Sequence, residues 1–225
     1  TWEVLGRQRG ITDLYVGSLI MHPQNPRILL AGCGNNAASP YIFEGKTHYT
    51  GGVFRTENGG DTWVQTLKDD VITSVEFAPS NPDIAYAGGR QHFYVSPDGG
   101  KTWRLTSGGK MAWGPPGIIA GFPIDILVDP DDPNVLFVNN YGGGNVKSTD
   151  GGKTWKLASQ GYTGAMMFDI AIDPRNSDVV FAAARSGLFQ TRNAGASWAG
   201  MSSSQVLFPE SYAVTVHPTT SNIVI

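Results

Sequence analysis

Two aspartates, Asp125 and Asp169, each stand five residues before a proline in a mostly apolar stretch, and Glu210 approaches the equivalent place further along. Paired carboxylates beside a pocket are what glycoside hydrolysis uses, one as acid and the other as base or nucleophile. The same groups also serve as acceptors for backbone N–H groups or as holders of water, and that structural use is the leading expectation. A second set could bind rather than react. Tyr41, His48 and Tyr49 share the segment 33–52 with Asn35 and Asn36, while Arg90, Trp113 and Tyr162 lie in other connecting segments. Aromatic, amide and basic groups mixed in this way suit a carbohydrate or peptide surface. Trp113 is either a stacking platform or a packing residue, with packing over a channel end or against further structure the leading role.

Other chemistries find no pattern. His22, His48, His92 and His217 are scattered, and the single Cys33 allows neither a disulfide framework nor a cysteine zinc site, so no metal is expected. Asp129, Asp131 and Asp132 lack the spacing of a calcium loop and read as a solvated turn. Gly142, Gly143 and Gly144 precede no helix, so no phosphate cradle follows, and no serine stands in a nucleophile elbow. No cofactor is implied.

The elements that must position these residues are set by two alternating repeats. One is Ser148-Thr149-Asp150-Gly151-Gly152-Lys153-Thr154-Trp155, which returns as Ser96–Trp103 and Thr56–Trp63 and, in a worn form, as Thr191–Trp198. The other is an apolar strand, a proline turn and a second apolar strand, centred on Pro23, Pro79, Pro130, Pro174 and Pro218, at intervals of 56, 51, 44 and 44 residues. A period in the forties to fifties with all-β composition predicts four-stranded antiparallel propeller blades. The blades are expected at about 17–67, 71–106, 124–158 and 166–200, with partial blades at 1–5 and 212–225, in a single domain 1–225. Proline suits the turn after strand one, and the octapeptide suits the hairpin between strands three and four. Its Asp or Asn can bond turn N–H groups, its glycines supply positive φ, and its Trp is expected to open strand four and pack on a neighbour.

Both repeats fall on one face of such a propeller, which is therefore uniform. The variable connections, 33–52, 107–123, 159–165 and 201–211, fall on the other, and long varied loops on a rigid frame are where recognition is built.

The octapeptide resembles the Asp-box, or bacterial neuraminidase repeat, found in sialidases, xyloglucan-hydrolysing endoglucanases, sortilin-type receptor domains and a photosystem II assembly factor. The resemblance covers nearly the whole chain and implies a β-propeller. It assigns Asn58, Trp63, Asp98, Trp103, Asp150, Trp155, Asn193 and Trp198 a structural Asp-box role and carries over no catalytic residue. No Arg-Ile-Pro stretch of the sialidase type is present.

The bulk composition agrees. Of 225 residues 40% are hydrophobic and only 16% charged, with 29 Gly and 14 Pro, which suits many short strands joined by tight turns. A net charge of −3 without a basic run argues against nucleic acid as partner, and no apolar run is long enough to span a membrane as a helix. The chain starts and stops inside repeats, so it is expected to be a segment of a six- to eight-bladed propeller. The leading functional expectation is a non-catalytic extracellular, cell-surface or periplasmic module that binds a glycan or protein, or serves as part of a larger assembly. The alternative is a fragment of a sialidase- or xyloglucanase-like hydrolase.

Overall fold

The computed structural model describes residues 7–13, 15–34, 41–43, 46–48, 51–68, 70–89, 91–108, 113–116, 122–140, 144–162, 167–201, 211–220 and 224–225. Apart from a 3-10 turn at Arg7–Arg9, the regular structure is β. Blade 1 joins β1 (Val16–Met21), β2 (Leu29–Gly34), β5 (Gly51–Thr56) and β6 (Val64–Lys68). A small hairpin, β3 (Tyr41–Phe43) with β4 (Lys46–His48), rises from its β2–β5 connection. Blade 2 runs through β7 (Ile72–Phe77), β8 (Ala85–Gly89), β9 (His92–Ser96) and β10 (Arg104–Gly108). Blade 3 is β11 (Pro123–Val128), β12 (Leu136–Asn140), β13 (Asn145–Ser148) and β14 (Lys156–Leu157). Blade 4 is β15 (Met167–Asp173), β16 (Asn176–Ala184), β17 (Gly187–Thr191) and β18 (Ala199–Gly200). The all-β propeller of four-stranded antiparallel blades read from the sequence is what forms.

The core lies between blades rather than within one. Ile72, Val75 and Phe77 of strand one in blade 2 pack on Leu30 and Val53 of blade 1. Ile126 and Val128 meet Phe93 and Val95 at the next joint, and Met167 and Ile170 meet Phe137 and Ala158 at the one after. Strands buried on both faces read as apolar runs, which is why β2 and β8 carry little polar alternation.

Asp-box chemistry tightens each joint. In blade 3 the Ser148 hydroxyl accepts the Gly152 N–H at 2.9 Å and donates to Asp150 Oδ1 at 2.8 Å. Asp150 Oδ1 also accepts the N–H groups of Lys153 and Thr154, and Oδ2 accepts the Thr154 hydroxyl at 2.6 Å. Partial burial acts to raise this carboxyl, but the bonds from Thr154, Ser148 and Lys153 outweigh it and hold it down at about 2. Gly151 then donates to Asn134 O in the proline turn, as Gly59 does to Arg27 O, Gly99 to Asp83 O and Ala194 to Asp178 O. The two repeats thus bond one another on a common face.

Three of the four Asp-box tryptophans reach backwards, while Trp63 Nε1 donates to Gly60 O of its own turn. Trp103 Nε1 donates to Thr66 Oγ1 of blade 1 at 3.0 Å, Trp155 to Ser107 Oγ of blade 2 at 3.0 Å and Trp198 to Ala158 O beyond β14 at 2.6 Å. Each tryptophan stands just before strand four rather than opening it. The backbone N–H of Trp63 goes to Arg9 O and that of Trp198 to Gln160 O, outside the blade's own ladder.

Gly152, at φ +82°, fits the same joint because a Cβ there would lie 2.9 Å from the Phe93 ring. Gly152→Ala should therefore lower unfolding stability by about 1–3 kcal/mol, from steric overlap and a left-handed backbone combined. Denaturant midpoints of wild type and variant check this.

Candidate functional site

Strand one of every blade carries a β-bulge, between Val16 and Ser18, Ile72 and Ser74, Pro123 and Asp125, and Met167 and Asp169. Bulges re-aim the side chains that follow them. Ser18, Ser74, Asp125 and Asp169 therefore hold one register position in the four blades. The Ser18 hydroxyl accepts the Val75 N–H of blade 2 at 3.3 Å and lies 3.5 Å from Val75 O, to which it donates. Asp169 makes the same stitch one step beyond blade 4: Oδ2 accepts the Val214 N–H at 2.8 Å, while Oδ1 accepts the Ile170 N–H at 2.9 Å. Both of its oxygens are held by backbone.

Asp125 differs. Burial first, and then the neighbouring Asp169 charge, push its carboxyl up to about 7, against a hydrogen bond from the Ile126 N–H. Glu76, which sequence reading passed over, is pushed up to about 8 by burial and by Asp125, although the Phe77 N–H bonds its Oε1 at 3.0 Å. Glu76, Asp125 and Asp169 thus follow one another on the strand ones of blades 2, 3 and 4. Glu76 could have been suspected, since it interrupts the apolar run Val75–Phe77 at a position occupied by Ile20, Leu127 and Ala171 in the other blades.

A polar layer crosses blade 3 at the same level. Asp125 pairs with Asn139, and Asn139 with Asn145. The corresponding strand-two and strand-three pairs are Gly32 with Val53, Gly88 with Phe93 and Ala183 with Leu188. Asn139 Oδ1 accepts the Asp125 N–H at 2.6 Å. Asn139 and Asn145 are fully buried. The Nδ2 of each and the Oδ1 of Asn145 have no hydrogen-bond partner.

The other expected site residues are dispersed. Tyr41 and His48 are cross-strand partners in the β3–β4 hairpin. Tyr49, Arg90 and Glu210 lie outside the described residues. Trp113 is 2% exposed and is not available to stack on a ligand. Its ring sits 5.0 Å from Phe93 and 4.9 Å from Trp155, and Nε1 donates to Gly89 O at 2.7 Å. An indole offers most apolar area where two blades meet, so it fills the blade 2–blade 3 joint rather than covering a channel end. Tyr162 is half-buried 4.7 Å from the Phe189 ring, in the blade 3–blade 4 joint, and burial pushes its phenol up to about 12. His22 and His217 accept turn N–H groups from Gln24 and Thr219, and Asp129 accepts those of Asp131 and Asp132, closing the turn. Cys33 is buried, which, with Asp13 nearby, pushes its thiol up to about 12. Among the described residues no group of three or more His, Cys, Asp or Glu side chains is placed to hold a metal ion.

Four-stranded blades, cross-blade tryptophans and stapled turns together define a β-propeller of the Asp-box class. The BNR/Asp-box repeat family matches residues 146–157, the blade 3 octapeptide with its flanks. No curated protein matches the chain by sequence. A GH74 xyloglucanase from Xanthomonas campestris has a similar structure, with TM-score 0.66 and 18% identity over 92% of this chain and 34% of that one. YCF48 bound to D1 peptide is similar with TM-score 0.55 and 16% identity, covering 91% of this chain and 58% of that one. YCF48 from Cyanidioschyzon merolae has TM-score 0.54 and 17% identity over 89% and 59%. These likenesses are of fold, and the chain spans about a third of the xyloglucanase and under three-fifths of the YCF48 chains.

The raised carboxyls fix a pH dependence. Their folded pKa values, about 8 for Glu76 and about 7 for Asp125, lie above the unfolded range of roughly 4, so the folded state binds protons more tightly. Their contribution is fully present below pH ~4 and is lost as pH rises through about 7 to 8. The thermal midpoint should fall between pH 5 and pH 8 in wild type and fall less in Asp125→Asn, as thermal melts at fixed ionic strength would record.

Proposed function

We propose that this propeller is a non-catalytic module that presents the loop face opposite its Asp-boxes to a glycan or protein partner. The observation that carries this reading is the state of Asp169, whose two carboxylate oxygens each hold a backbone N–H. A hydrolytic pair needs both members free to exchange protons or to attack. The Asp-boxes offer no alternative, because Asp98 and Asp150 are occupied as turn acceptors. Fold neighbours include a xyloglucanase and a protein bound to a peptide, so the scaffold is compatible with either kind of partner. On this reading the module acts outside the cytoplasm, on the cell surface or in a periplasm, alone or within a larger assembly.

A second reading, a fragment of a glycoside hydrolase, draws on Asp125, whose carboxyl at about 7 suits a general acid. The two separate in one assay. Incubation with xyloglucan and other neutral polysaccharides should release no reducing ends, while immobilised glycans or peptides should retain the protein. Release that is abolished by Asp125→Asn would replace the module by the hydrolase.

A further inference from the structure

On the same loop face, at the junction of blades 1 and 2, Asp70, His92 and Tyr94 form a cluster the repeat does not require. His92 and Tyr94 belong to β9, on the same side of the strand, and Asp70 lies in the connection between β6 and β7. Asp70 Oδ2 lies 2.7 Å from His92 Nδ1 and accepts the Tyr94 hydroxyl at 2.9 Å; Asp70 Oδ1 accepts the Val71 N–H at 2.8 Å. The His92 and Tyr94 ring centroids are 5.9 Å apart.

A mere staple would be expected to recur with the blades, and this one does not. His92 directly precedes Phe93, the partner of Gly88, and stands where the other blades place Gly52, Gly144 and Gly187, each at positive φ. Tyr94 stands where they have Phe54, Val146 and Phe189, and Asp70 where they have Leu14, Gly121 and Ala165. At the aligned sequence positions the other three blades carry none of the three polar side chains.

The geometry sets the chemistry. A carboxylate can only accept, so His92 Nδ1 carries a proton, and in the neutral ring Nε2 is then left as an acceptor. Among the described residues Nε2 has no hydrogen-bond partner, and the side chain is 29% exposed, whereas Asp70 is 13% exposed. Asp70 holds three donors and is more buried than the ring, so it orients the ring rather than making the contact. Such an arrangement fixes one basic nitrogen at the surface with little rotational freedom, which lowers the entropy cost of a ligand hydrogen bond.

We infer that His92 Nε2 is a ligand-contacting group that accepts a hydrogen bond from a hydroxyl of a neutral glycan, with Asp70 and Tyr94 as positioning residues. This rests on the binding-module reading and names both the ligand class and the point of contact on that face. The start of β5 adjoins the cluster, since a Cβ added at Gly51 would meet Asp70 O.

The test uses the intact protein labelled with 15N-histidine and a panel of neutral gluco-oligosaccharides, cellohexaose and xyloglucan heptasaccharide among them. Before ligand is added, the His92 nitrogens should show the Nδ1–H tautomer, and Asp70→Asn should change that signature without unfolding the protein. Addition of the bound oligosaccharide should shift Nε2. His92→Gln should weaken binding at least tenfold, and Asp70→Asn or Tyr94→Phe should weaken it severalfold at unchanged thermal midpoint. Binding that survives His92→Gln, with Nε2 unmoved, overturns the inference while leaving the module intact. Failure of every oligosaccharide to bind overturns the inference as well, and peptide retention in its place would identify the partner as protein.

Discussion

The structure depends on the joint between consecutive blades. A four-stranded blade of this length has no interior of its own, since its strands present apolar side chains on both faces and need a neighbour on each. The Asp-box makes that neighbour specific. Its tryptophan donates backwards to strand four of the preceding blade or just beyond it, at Thr66, Ser107 and Ala158. Its second glycine lets the turn approach core residues of that blade, Leu30 at Gly100, Phe93 at Gly152 and Phe137 at Gly195. The carboxylate or amide that gives the motif its name acts one level below, shaping the turn from which the tryptophan and glycine project.

This division explains where chemistry can sit. On the stapled face the polar groups are consumed locally, and the hydroxyls, carboxylates and amides of the octapeptides bond their own turns. At the bulged position of strand one the blades depart from one another: Ser18 and Asp169 hold backbone groups of the next blade, whereas Asp125 retains a raised pKa. Residues that individual blades add, without the repeat requiring them, lie on the opposite side. Asp70, His92 and Tyr94 in blade 2 and the Asn139–Asn145 pair in blade 3 are of this kind.

The fold was legible because its determinants are local and periodic. Gly151–Gly152 with Asp150 names a hairpin, Pro130 and Pro174 name turns, and five copies of the proline motif name the blades. The site was less legible because its determinants are non-local. Nothing in the sequence around Trp113 indicates that Phe93 and Trp155 enclose it, or that Asp169 finds the Val214 N–H across the next joint. Asp70 and His92 are 22 residues apart and gain meaning only when the connection after β6 closes over β9. Aligning the blades residue by residue would have exposed them, since His92 stands at a glycine position and Asn139 and Asn145 replace small or apolar residues. Departures from a repeat carried more information about the candidate site than the repeat did.

The measurement that tests the central claim most directly is a double-mutant cycle across the blade 2–blade 3 joint. Trp155→Phe keeps the ring and removes the Nε1 donor, and Ser107→Ala removes its acceptor. If the Asp-box holds the propeller together through this contact, the two changes should couple by about 1 kcal/mol in unfolding free energy. Coupling indistinguishable from zero would contradict the account, because the motif would then shape its own turn without tying one blade to the next.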